Sequence, residues 1–145
     1  MAEALIRARA HRAGLDGRLD VGSVGTWTVD GAPASGHAQE VMRARGLDLG
    51  GHRSREVKAE AVAWADVILT MTADHQAALE AEFAAARGKT RRLSSLAGGS
   101  WDVADPMGGE LDDYRATADE LERLVDAGWA VIAAGAGDGG PEEGS

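Results

Sequence analysis

The chain has 145 residues, a formal net charge of -9 at pH 7, three prolines and no cysteine. That length suits one domain with a single core. Without cysteine these residues hold no disulfide, no cysteine metal site and no cysteine nucleophile, and the acidic balance speaks against the basic surface that nucleic acid requires.

Apolar runs all fall well short of the ~20 residues of a membrane span. Residues 1–7 lack the basic-then-apolar order of a secretory signal. The expectation is a cytoplasmic protein with no membrane or nucleic-acid partner, and the abundance of Ala, Gly and Arg hints at a bacterial gene. Residues 2–13 read as a helix, with Leu5, Ile6, Ala8 and Ala13 giving a partly apolar stripe and Gly14 a stop. No strand precedes this helix. Residues 19–26 are a short strand candidate that breaks into a loop around Trp27. A second helix spans 35–45 and is closed by Gly46; a polar loop follows, with Gly50, Gly51, His52 and Ser54. Residues 58–64 make a short helix, with Trp64 on its core stripe.

The stretch Asp66-Val67-Ile68-Leu69-Thr70-Met71-Thr72 is a nearly continuous apolar run of strand length. It suits a strand buried on both faces, hence a parallel sheet covered by helices. A helix over 73–87 and a strand over 90–96 come next. From Leu111 the apolar residues Leu111, Tyr114, Ala118, Leu121, Val125, Trp129 and Ile132 recur at three and four, which predicts one long amphipathic helix. Residues 135–145 are glycine-rich and acidic and read as a disordered tail, leaving a domain over 1–134. Strands alternating with helices give an α/β fold, a doubly wound parallel sheet in three layers.

Chemistry concentrates in Asp102-Val103-Ala104-Asp105-Pro106-Met107-Gly108-Gly109. Pro106 biases Asp105 towards extended backbone, so the acid is expected to project from its loop and not to fold back on its own chain. That mount suits a general acid, which protonates a leaving atom as a bond breaks; an ordinary turn is the alternative reading. His11, His37, His52 and His75 show no paired metal-ligand spacing, so no metal and no cofactor is expected.

In order, these features resemble the low-molecular-weight protein phosphatases of the tyrosine/arginine type. Met1-Ala2-Glu3-Ala4-Leu5 resembles the helix that follows the family's phosphate loop, Cys-x-Gly-Asn-x-Cys-Arg-Ser-Pro. Ser23-Val24-Gly25-Thr26 resembles Ser-Ala-Gly-Thr. The run from Leu47 to Arg55 resembles Ile-Asp-Leu-Ser-Gly-His-x-Ser-Arg, and Ala65 to Thr72 resembles Ala-Asp-Leu-Ile-Leu-x-Met-Thr. Asp105 to Gly109, followed by Tyr114, Thr117, Glu120 and Leu121, resembles the acid loop and last helix.

The resemblance implies hydrolysis of a phosphorylated protein or a small phosphomonoester through a phosphocysteine. Asp105 is then the general acid. Ser23 and His52 hold the phosphate loop by hydrogen bonds, although Ser23 also reads as a strand end and His52 as a surface histidine. Trp27 and Met107 line the substrate, with a hydrophobic lid the other reading of Trp27. Asp-Pro-Met-Gly-Gly is nearer the Asp-Pro-Phe-Gly-Gly of the arginine-type members, which points to phosphoarginine or a broad bacterial specificity. The resemblance also implies that the first central strand, the nucleophile and the phosphate-gripping arginine are absent. The in-frame codons before Met1 are therefore expected to encode them. As it stands the chain is expected to be inactive and poorly folded, because the strand candidates over 19–23 and 66–71 are left with open edges. A non-catalytic binding protein and a decayed fragment are the alternatives. The oligomeric state is not legible.

Overall fold

A computed structural model describes residues 1–15, 19, 21–22, 34–51 and 57–134. In chain order its elements are α1 (Ala2–Arg12), α2 (Gly36–Ala44), α3 (Ala59–Trp64), β1 (Ile68–Thr70), α4 (Ala73–Glu82), β2 (Thr90–Arg92) and α5 (Leu111–Ala127). Short 3-10 turns lie at Ala84–Ala86 and Leu93–Ala97, and residues 129–134 are again helical. The proposed tail at 135–145 lies outside the described residues.

β1 and β2 pair in parallel, with Ile68 opposite Thr90 and Thr70 opposite Arg92. A parallel pair needs a crossover, and α4 provides it. Successive side chains of a strand point to opposite faces, and β1 uses both. Ile68 packs with Val62, Leu79, Ala86 and Phe83, the cluster under α3 and α4. Leu69 packs on the other side, where Leu5 of α1, Val41 and Met42 of α2, Leu93, Val103, and Tyr114, Ala118, Leu121 and Leu124 of α5 form the main core. A smaller cluster of Ile6, Val125 and Ile132 adjoins that side and is also touched by Leu69. Three layers result, helices on each face of a parallel sheet. Each large apolar side chain fully buried in this way contributes roughly 1.5–3 kcal/mol.

Local chemistry sets the ends of the elements. Ser35 caps α2 by accepting the Ala38 N–H at 3.2 Å, and Thr72 caps α4 by accepting the His75 N–H at 3.1 Å. Arg9 of α1 reaches Asp126 of α5 at 3.2 Å and lies 4.9 Å from the Trp129 ring centroid, so Trp129 seals the junction of the first and last helices. Arg45, just past α2, bridges to Glu122 at 3.0 Å and to Asp119 on α5.

Several elements are shorter than their sequence pattern. The strand read over 90–96 stops at Arg92 because its serines bond elsewhere: the Ser95 hydroxyl donates to the Arg92 carbonyl at 2.6 Å, and the buried Ser94 hydroxyl to the Trp101 carbonyl at 2.6 Å. Hydroxyls that satisfy nearby carbonyls compete with a ladder. The helix read over 73–87 ends at Glu82; Phe83 is extended (φ -121°, ψ 111°) and turns its ring into the small cluster. The long last helix is interrupted at Gly128, where an added Cβ would lie 2.5 Å from the Leu96 Cβ. Only a glycine lets the 3-10 turn approach α5 this closely.

Trp64, expected in the core, is 58% exposed. α3 has only six residues and Ala65 is already extended, so a single side chain, Val62, faces inward. The strand read over 19–26 is not formed at its described positions Leu19, Val21 and Gly22; the remainder lies outside the described residues. Val21 is nonetheless tied down, because its carbonyl accepts from the Arg7 guanidinium. Among the described residues the sheet has two strands, and the edge of β1 away from β2 has no strand beside it. No helix among them is long and apolar enough to cross a membrane.

Candidate active site

The C-terminal ends of parallel strands are where α/β folds place ligands, and the loop from Trp101 to Glu110 lies there. Three consecutive residues fasten it. The Trp101 carbonyl accepts from Ser94, and its indole Nε1 donates to Glu120 of α5 at 2.9 Å. Asp102 Oδ1 accepts the Ala73 N–H at 3.0 Å and the Arg92 Nη1 at 2.9 Å. Val103 is buried in the main core and donates its N–H to the Met71 carbonyl at 2.9 Å. These bonds join the loop to the residues that follow β1, to the end of β2 and to the start of α4.

Beyond that anchor the chain turns outward. Asp105 is exposed, and its Oδ1 accepts the Met107 N–H at 3.0 Å. The carboxylate therefore does fold back on its own backbone, contrary to the projecting acid expected from Pro106. An Asp side chain bonding to the backbone two residues on is a common turn motif, and here it outweighs the projection expected from Pro106. The Gly109 N–H then closes on the Pro106 carbonyl at 2.8 Å, and Gly108 has φ +83°, a conformation costly for any other residue. Gly109 sits against Asp113, whose Oδ2 accepts the Glu110 N–H at 2.8 Å and starts α5. Met107, at the tip, is 78% exposed and free to meet a ligand.

The Ala73 N–H first, and the Arg92 guanidinium second, hold the Asp102 carboxyl below its ordinary value of 3.8, with His75 adding a smaller pull. At the start of α1 the Met1 amino group is pushed below its ordinary value of 8.0 by burial, against the opposing pull of Glu3. Met1 packs on the main core cluster.

Of the residues singled out from sequence, Asp105 and Met107 thus share one loop tip. Ser23, Trp27 and His52 lie outside the described residues. Concave surfaces do occur along α5, but those lined by Arg9, Arg12, Arg45, Glu122 and Asp126, and by Glu40, Arg115 and Asp119, do not include Asp105. Among the described residues no group of three or more His, Asp and Glu is placed to hold a metal. Sequence reasoning overlooked Asp102, Arg92 and Ser94, the residues that fasten the loop. Their partners lie ten, twenty-nine and seven positions away, and no local pattern marks them.

Comparison with known proteins identifies the family. The family model for low molecular weight phosphotyrosine protein phosphatase matches residues 1–134. A protein-arginine-phosphatase of Geobacillus stearothermophilus is 38% identical over 109 residues, covering 74% of this chain and 73% of the relative. A protein-arginine-phosphatase of Bacillus subtilis (strain 168) is 36% identical over 126 residues, covering 86% and 82%. Among solved structures, a Cys-to-Ser mutant of YwlE arginine phosphatase with a phosphorylated active-site serine superposes with a TM-score of 0.82 at 35% identity, over 87% of this chain and 82% of that one. With an acid loop at the strand ends, a three-layer α/β fold and a family match over almost its whole length, the chain belongs to the low-molecular-weight phosphotyrosine protein phosphatase family.

Proposed function

We propose that the phosphatase chemistry of this chain is directed at phosphoarginine in proteins, with Asp105 as the general acid and Met107 as an apolar contact for the substrate side chain. The observation that carries this reading is the position of Asp105: a carboxylate on a glycine-closed turn at the C-terminal ends of β1 and β2, anchored by Val103 and Asp102. Two similar relatives named protein-arginine-phosphatase support the substrate, and Met107, exposed beside Asp105, supplies an apolar surface for its side chain.

In this reading the scissile bond joins phosphorus to a guanidinium nitrogen. Asp105 gives its proton to that nitrogen as the bond breaks, then takes a proton from the water that releases phosphate. The first step needs an acceptor for the phosphoryl group. In the mutant YwlE structure an active-site serine carries phosphate; here the 145 residues contain no cysteine to play the equivalent part. The mechanism therefore requires a thiolate these residues do not contain, at the N-terminus of α1, where helix N–H groups and dipole favour an anion. Ser23 and His52 would brace that loop by hydrogen bonds and Trp27 would line its mouth. Residues 1–134 act as the phosphatase domain, residues 135–145 as a tail, and the site of action is the cytoplasm. The missing cysteine also favours a second reading, a non-catalytic relative that binds phosphorylated protein through the same face.

The 145-residue chain is expected to leave phosphoarginine and aryl phosphates intact. Preceded by a phosphate loop of the family pattern, it is expected to hydrolyse phosphoarginine faster than phosphotyrosine, and Asp105→Asn to lower kcat by roughly 10²–10⁴. Equal rates on the two substrates would remove the arginine assignment. An unchanged kcat in Asp105→Asn would remove the acid, and a loop-bearing chain that binds phosphoprotein without turnover would favour the second reading.

A further inference from the structure

We infer that Asp102 is a positioning residue, a latch that holds the loop bearing Asp105 against the ends of the sheet. The inference rests on the reading of Asp105 as the acid, and the arrangement is specific. Asp102 uses one oxygen, Oδ1, for two donors from different elements: the Ala73 N–H that opens α4, and Nη1 of Arg92 that ends β2. Next to it, Val103 is buried and its N–H is bonded to Met71 beyond β1. Asp105 stands three residues after Asp102. The latch therefore joins the loop to the start of α4 and to the end of β2 at once.

Arg92 has its own reason to need this acid. Its guanidinium is largely covered, and its Nε is the one buried side-chain nitrogen or oxygen among the described residues that has no hydrogen-bond partner. An arginine already short of one bond is costly to leave without its carboxylate. Asp102 itself stays at the surface, 51% exposed in its side chain, so water, salt and protons reach the latch without the core opening. The charges that face Asp102 are Arg92 from β2 and His75 from α4, both favouring its ionised form.

Amide hydrogen exchange of the 145-residue protein tests this, because it reads the loop without needing turnover. In Asp102→Ala, exchange at Val103 and Met107 is expected to speed up by about tenfold or more, while Leu121, Leu124 and Val125 in α5 keep their rates. Asp102→Asn, which retains an acceptor for Ala73 but no charge for Arg92, should fall between the two. The protection factor of Val103, whose N–H is bonded to a carbonyl, should drop in the parent on acidification below the ordinary aspartate range, and that drop should be absent in Asp102→Asn. Unchanged loop exchange in Asp102→Ala overturns the latch, and so does acceleration spread equally over α5, which would mark a merely structural acid. Neither result bears on whether Asp105 protonates a leaving group, so the latch and the acid fail separately.

Discussion

The acid loop and α5 are adjacent in sequence and opposite in construction. α5 is held by its stripe: Tyr114, Ala118, Leu121, Leu124 and Val125 are all buried, and each turn adds to the same core. The loop before it buries one large side chain, Val103, and is otherwise held by single hydrogen bonds: it accepts from Ser94, Ala73 and Arg92 and donates to Met71 and Glu120. Burial is worth more per residue than an exposed bond, so the helix supplies stability while the loop supplies position. The role proposed for Asp105 needs water-accessible chemistry and a fixed address, and hydrogen bonds to rigid strand ends give both.

The comparison breaks hardest in the helix. Leu121→Ala removes a side chain 4% exposed at the centre of the main core and is expected to cost about 2–5 kcal/mol in denaturant unfolding. A loss under 1 kcal/mol would mean that the stripe is not what holds this layer. Gly109→Ala probes the seam between loop and helix. Its added Cβ would lie 2.6 Å from Asp113 Oδ2 and 2.9 Å from the Pro106 carbonyl, so both the cap of α5 and the turn must shift. The expected loss is about 1–3 kcal/mol, with Gly109→Ser no better.

Acid sharpens the comparison from the loop side. Asp102 has its carboxyl below the ordinary 3.8 when folded, so between that depressed value and 3.8 the unfolded chain binds more protons than the folded one. Its contribution is complete above the ordinary value and is lost as pH falls through the lower one. Melting curves recorded across this window should slope down on acidification, and Asp102→Asn should flatten the slope. The smallest effect belongs to the acid itself. Asp105→Asn keeps an oxygen for the Met107 N–H, so unfolding free energy should change by no more than about 0.5 kcal/mol. A larger change would show that Asp105 is fastened more tightly than its single bond indicates.

Much of this organisation is written locally. The apolar run at Ile68 to Thr70, the period of α5 and the caps at Ser35 and Thr72 depend on residues within a few positions of one another, so the α/β class and the place of most helices follow from the sequence. The order of motifs from Met1-Ala2-Glu3 to Asp105-Pro106 identified the family in the same way, because it records a chain of short patterns. What the sequence cannot carry is competition between distant groups. Ser94 and Ser95 end β2 early because their hydroxyls find nearer carbonyls, Gly128 breaks the last helix because Leu96 crosses it, and Trp64 stays in water because α3 stops one turn too soon. The same holds for the site. Asp105 and Met107, the candidates proposed above, stand out locally because Pro106 and two glycines flank them. Asp102 and Arg92 do not, since a carboxylate becomes a latch only when folding brings Ala73 and Arg92 to it from twenty-nine and ten residues away.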